Sequence, residues 1–86
     1  MLRLAGELDP FRVDAVREGV RATMRSGSPS VIEIDCSELT YISAEGVAML
    51  LDLGDEFGRP VALTGLSSSC RTRIRIMGLE DTFVFR

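Results

Sequence analysis

The sequence predicts a small α/β domain of about four strands and three helices, with parallel strand pairs covered by crossover helices. Three observations carry this. Short apolar or β-branched runs alternate with stretches of helical apolar spacing, Gly, Pro, Ser or Asp marks each switch, and no repeat or low-complexity tract interrupts the order. At 86 residues the chain reads as one domain spanning residues 1–86. A globule of this size buries only about 60–65% of its unfolded surface, so few elements must share the core.

Leu2, Leu4 and Ala5 lie in a short apolar segment ending at Gly6, which reads as a first strand over residues 2–6. Asp9-Pro10 is a helix start: Asp accepts from an orphan N–H as N-cap, and Pro suits the first helical position. Phe11, Val13, Val16, Val20 and Met24 follow at helical spacing, with Arg12, Arg17, Glu18, Arg21 and Arg25 largely on the other side. Ser26-Gly27-Ser28-Pro29 stops this helix and turns the chain.

Val31 to Asp35 is the clearest strand, and Cys36 to Thr40 carries turn residues. Val47, Leu50, Leu51 and Gly54 recur at i, i+3, i+4 and i+7, so a second helix runs from near Ser43 to about Phe57. Gly58-Arg59-Pro60 breaks it, and Val61 to Thr64 makes a third strand. The small-residue loop from Gly65 to Ser69 caps a third helix with Cys70, Ile74 and Met77 on one face. Gly78 closes that helix, and Thr82 to Phe85 forms a last short strand.

Hydrophobic residues at 45% against 27% charged describe a chain that folds, and a formal charge of −3 with no basic stripe argues against nucleic acid. His is absent, and Cys36 and Cys70 fit no zinc spacing, so common metal sites and His-based triads lack their parts. The two thiols are expected to be reduced. No signal segment or membrane span is recognisable, so a cytoplasmic protein without membrane insertion is the expectation.

The stretch Tyr41-Ile42-Ser43-Ala44-Glu45-Gly46-Val47 opens the second helix. A helix start gathers unpaired N–H groups and partial positive charge, which stabilises Glu45 in the first turn by roughly 0.3–1 kcal/mol. Gly46 leaves the turn bare, so another backbone or side chain can approach closely. Ser43 is equally well read as an ordinary N-cap, Glu45 as an ordinary first-turn acid and Gly46 as a packing glycine. In an α/β fold the loops after strand C-termini are where partners meet the protein.

Leu4-Ala5-Gly6-Glu7-Leu8-Asp9, Ile34-Asp35-Cys36-Ser37 with the Tyr41–Val47 stretch, and Met77-Gly78-Leu79 followed by Phe83 resemble the STAS domain, the sulfate transporter and anti-sigma factor antagonist family. The likeness covers nearly the whole chain. It implies a mixed, mostly parallel sheet from which the family's usual first strand is absent. It also implies a non-enzymatic module of the anti-sigma factor antagonist kind, whose helix start carries a phosphorylatable Ser just before the glycine and docks an anti-sigma factor that doubles as serine kinase.

The position matching that acceptor is Glu45, with Ala44 before it and Ser43 before that, so the sequence departs from the family pattern at its switch. A phosphoserine brings about −1.5 to −2 charges and three acceptor oxygens to the site, whereas Glu brings one charge on a longer stem. Glu45 is a partial mimic of the modified state. Ser43 is the alternative acceptor. The contact surface implied is Asp9, Ser37, Tyr41, Ser43, Ala44, Glu45, Gly46 and Val47, with Tyr41 or Val47 as apolar anchors.

Other readings remain open at this level. One is a nucleotide- or phosphate-binding STAS domain using the backbone at the second and third helix starts, although the Glu45 carboxylate repels an anion. Another is a STAS subunit of a transporter or signalling scaffold. No cofactor is expected. Asp35 and Asp9 read as turn and helix caps, Cys36 and Cys70 as core residues, Ser67-Ser68-Ser69 as a cap, Arg71, Arg73 and Arg75 as a solvated face, and Phe83 and Phe85 as packing beside the sheet. Without the family's first strand, a sheet edge is left open to pair in a homodimer.

Overall fold

Strand and helix alternate as the sequence predicts in a computed structural model that describes residues 2–27 and 29–86. The elements are β1 (Leu2–Leu8), α1 (Val13–Gly27), β2 (Ile32–Ile42), α2 (Ala44–Phe57), β3 (Val61–Thr64), α3 (Ser68–Ile76), a short 3-10 turn (Glu80–Thr82) and β4 (Val84–Phe85). The strands form one sheet in the order β1-β2-β3-β4. Among the described residues all three pairings are parallel, so the mixed sheet expected from the resemblance is here parallel throughout. Parallel neighbours need crossovers, and α1, α2 and α3 supply them.

Hydrophobic burial organises the core. Leu4 and Leu8 of β1, Ile32, Ile34 and Cys36 of β2, and Val61 and Leu63 of β3 pack with Val16, Val20 and Met24 of α1 and with Val47, Leu50 and Leu53 of α2. Central β3 buries Val61, Ala62 and Leu63 in succession, the continuous apolar run of a strand covered on both faces. Cys70 and Ile74 anchor α3, Phe83 is buried and Phe85 is half-buried.

Three local expectations are corrected. The first helix begins at Val13 rather than Pro10, because Asp9 makes a turn instead of a helix cap: its Oδ1 accepts the Phe11 N–H at 3.0 Å and its carbonyl accepts the Arg12 N–H at 3.0 Å. Phe11 is therefore off the inner helical stripe and 94% exposed. Met77 lies at the α3 C-cap and is exposed rather than inward-facing. Gly78, with φ of 76°, closes that helix as expected: its N–H bonds the Arg75 carbonyl and the Leu79 N–H bonds that of Ile74. Of the turn read over Ser26–Pro29, Ser28 lies outside the described residues.

The largest correction concerns residues 36 to 40, which continue β2 instead of turning. Their polar residues are absorbed by two bulges: Arg3 pairs with Asp35 but Ala5 with Glu38, and Gly6 pairs with Leu39 but Glu7 with Tyr41. Each bulge adds one residue to β2 relative to β1. The buried positions keep step, falling at 32, 34 and 36 and then, with wider spacing, at 39 and 42. Asp35 shapes the first bulge by accepting the Ser37 N–H at 3.0 Å, and Arg3 lies 3.3 Å from its other oxygen.

The Ser37 N–H, assisted by Arg3, holds the Asp35 carboxyl below its ordinary pKa. A carboxylate favoured in the native state stabilises the fold above its unfolded-state pKa and loses that contribution as pH falls through the folded value. Urea midpoints of the wild type and of Asp35→Asn are expected to differ by a constant amount above about pH 5 and to converge below about pH 4. A gap that is independent of pH down to the acid limit would show that the charge of Asp35 contributes nothing.

Candidate partner-binding site

Parallel strands deliver their C-terminal ends, and the loops that follow them, to one end of the sheet. There β1 and β2 run past β3 as a two-stranded ribbon, and β2 passes into α2 at Ser43. The Ser43 N–H donates to the Leu8 carbonyl at 2.9 Å, fixing the helix start against the end of β1. Ser43 has extended backbone angles, and its Oγ accepts the Gly46 N–H at 3.0 Å. It is the N-cap its position implies, only 4% exposed.

Gly46 faces inward. A Cβ there would lie 2.9 Å from Leu8 Cγ, 3.0 Å from the Leu8 carbonyl oxygen and 3.2 Å from Ile42 Cγ1. The glycine therefore admits the protein's own β1 and not an incoming partner. Val47 is fully buried in the core, so it is removed as an apolar anchor.

The remaining first-turn positions point outward: Ala44 and Glu45 are exposed, with Glu45 in the acidic first turn of α2. Tyr41, two residues before the cap, is 40% exposed, and the Arg73 guanidinium of α3 sits 5.0 Å over its ring. This is cation–π geometry, and it holds one face of Tyr41 while leaving the rest to solvent. Tyr41, Ala44 and Glu45 thus form the accessible surface, supported from beneath by Ser43, Gly46 and Val47.

Asp9 flanks this surface through the Leu8–Ser43 bond, with its carboxylate committed to the Phe11 N–H. Ser37 is not brought to it. It lies in the bulged strand six residues before Ser43, up to about 20 Å away along an extended chain, and packs against Gly65. Exposed Phe11 was missed because helical spacing placed it inward; the Asp-Pro pair was the signal for a turn.

The lesser candidates find local partners. Ser67 Oγ accepts the Cys70 N–H at 3.2 Å, which is capping. Arg71 lies 4.3 Å over the Phe85 ring and pairs with Glu80, and Arg75 donates to Thr72. Cys36 and Cys70 are buried free thiols, and burial, with the Asp35 charge nearby, pushes the Cys36 pKa up to about 12. A thiol held protonated is a poor nucleophile. Among the described residues no helix is long and apolar enough to cross a membrane, and no cluster of three His, Cys, Asp or Glu gathers for a metal.

Four parallel strands in one sheet with three helices form an α/β fold of the STAS kind. The family described as "Mlab, STAS domain" matches residues 1–85, and the chain belongs to that family. Its fold is similar to that of a solved anti-sigma factor antagonist, SpoIIAA in its unphosphorylated form, with a TM-score of 0.79 and 23% identity, covering 98% of this chain and 76% of that one. No curated protein matches the sequence.

Gly46→Ala is expected to destabilise the fold by about 1–3 kcal/mol through overpacking against Leu8, offset in part by the roughly 1 kcal/mol helix preference of Ala over Gly. Thermal melts check this, since 1 kcal/mol shifts a domain of this size by about 4–8 °C. A higher midpoint would mean that the Leu8 contact yields without strain.

Proposed function

We propose that the domain is a regulatory protein-binding module of the anti-sigma factor antagonist kind, which docks an anti-sigma factor with serine-kinase character through Tyr41, Ala44 and Glu45. The supporting observation is the exposed Glu45 carboxylate in the first turn of α2, at the position where the family resemblance places the phosphorylatable serine. A carboxylate beside the helix N-terminus supplies permanently, with one charge, what a phosphoserine supplies reversibly with nearly two. The interaction is then fixed in one state: either a low-affinity form resembling the modified protein, or an unregulated complex with a partner that accepts the carboxylate.

Ser43 is a poor substitute acceptor in this reading, because its hydroxyl is buried and caps Gly46. The same fixed charge also suits a second reading, a STAS subunit held constitutively in a transporter or signalling scaffold, where no switch is needed. Cytoplasmic action fits both. A nucleotide-binding domain is disfavoured by the anion already at the helix mouth. Titration with ATP or GTP is expected to give no heat, and saturable binding would reverse that judgement.

The deciding experiment pairs purified wild type, Glu45→Ser and Glu45→Gln with each serine-kinase anti-sigma factor encoded in the source genome. Glu45→Ser is expected to become a phosphoryl acceptor, and affinity measured by calorimetry is expected to change about tenfold or more between Glu45 and the neutral variants. Unchanged affinity for every kinase, together with no phosphorylation of the serine variant, would overturn the antagonist reading and favour the scaffold one.

A further inference from the structure

Among the described residues, Phe11 in the turn after β1 is the most exposed large apolar side chain, at 94%. A phenyl ring in water gains free energy by being covered, yet this turn holds it out. The Phe11 N–H donates to Asp9 Oδ1 at 3.0 Å, and the Arg12 N–H donates to the Asp9 carbonyl at 3.0 Å. One guanidinium nitrogen of Arg12 donates back to the carbonyls of Ala5, at 2.6 Å, and Glu7, at 2.9 Å, on either side of the bend at Gly6, whose φ is 73°. The Arg12 carbonyl accepts the Val16 N–H and so joins the turn to α1. Residue 11 is tied to Asp9 on one side and, through Arg12, to β1 and α1 on the other. The position of the turn matters as much as its rigidity. The Leu8 carbonyl that precedes it accepts the Ser43 N–H. Phe11 follows Leu8 by three residues, at most about 10 Å of chain, exposed Ala44 and Glu45 follow Ser43 directly, and half-exposed Tyr41 precedes Ser43 by two. Two aromatic rings and a carboxylate thus lie within three residues of one hydrogen bond.

We propose that Phe11 is the specificity-determining anchor of the docking surface at the start of α2, its ring entering an apolar pocket of the partner that is rimmed by basic side chains. The inference rests on the partner reading above and deepens it by naming what the partner must present. Buried aromatic rings dominate the energetics of protein interfaces, and a ring already held by its turn has little conformational freedom left to lose on binding. The surrounding charges select the occupant. Glu7, Asp14 and Glu45 are exposed carboxylates on the three elements that meet at this turn, while the Arg12 guanidinium is folded back onto β1. An acidic rim around an apolar ring complements a basic protein surface and is repelled by an anionic bilayer. The ring supplies affinity by burial, and Glu45 supplies the charge that the partner reads.

Calorimetric titration of wild type, Phe11→Ala, Phe11→Leu and Glu45→Gln into each serine-kinase anti-sigma factor encoded in the source genome tests it, with thermal melts of every variant. Phe11→Ala is expected to melt with the wild type, as an exposed substitution does, and to bind about tenfold or more weakly. Phe11→Leu is expected to recover part of that loss. The factor lost with Phe11→Ala is expected to be the same at low and high salt, because apolar burial is not screened, whereas the effect of Glu45→Gln shrinks as salt rises. Vesicles of anionic phospholipid are expected not to bind. If Glu45→Gln alters affinity and Phe11→Ala does not, the anchor is overturned and the partner reading stands. If the wild type binds none of these kinases, both fall together. Binding to the vesicles that is lost with Phe11→Ala would assign the ring to a membrane and overturn the proposal.

Discussion

The contact between the end of β1 and the first turn of α2 sets the geometry on which the exposed surface depends. Leu8 supplies a carbonyl to Ser43 and lies where any side chain on residue 46 would need to be. With the helix seated this closely, the first turn has one phase about its axis. Residues 46, 47 and 50 go inward and 44, 45 and 48 go outward. The orientation of Glu45 is thus fixed by the close packing of its neighbour Gly46 against Leu8, so its charge is presented to solvent by a rigid element.

Charge contributes differently elsewhere. Arg21 reaches from α1 to both oxygens of Glu56 on α2 at 3.0 Å and also to Glu18, and this pairing holds the Glu56 carboxyl below its ordinary pKa. Such exposed pairs contribute little stability individually. Their role here is alignment of two helices that already meet through apolar contacts. Arg12 pairs in another way, one guanidinium nitrogen donating to the main-chain carbonyls of both Ala5 and Glu7 across the bend at Gly6.

The order of elements was legible because each announces itself in periodicity or punctuation: Gly58 and Gly78 end helices as read, and Ser43 caps α2. The failures came where one residue type serves two geometries. Asp35 and Ser37 are turn formers, yet the same Asp-to-backbone bond that makes a turn also makes a bulge, and only the presence of β1 alongside decides between them. Gly46 was seen as necessary, but sequence spacing cannot say whether a bare turn admits another protein or the chain's own Leu8. For the same reason the sequence reads Val47 as an anchor although it is buried, and Ser37 reads as part of the site only when β2 is taken to end at Asp35 instead of Ile42. Arg12 left no signal at all, since its acceptors are main-chain atoms.

The two bulges make the segment from Ser37 to Ile42 sensitive to length in a way its solvated residues do not suggest. Loops tolerate insertions and deletions, and by composition this stretch would pass for a loop. Yet each extra residue keeps Leu39 and Ile42 in phase with the apolar interior. Losing one codon here would rotate everything downstream by half a pleat, exchanging interior and exterior and turning the mouth of α2 away from its present direction. Substitutions at Glu38 or Thr40 would be mild by comparison, so variation in this stretch should be freer in residue identity than in residue number.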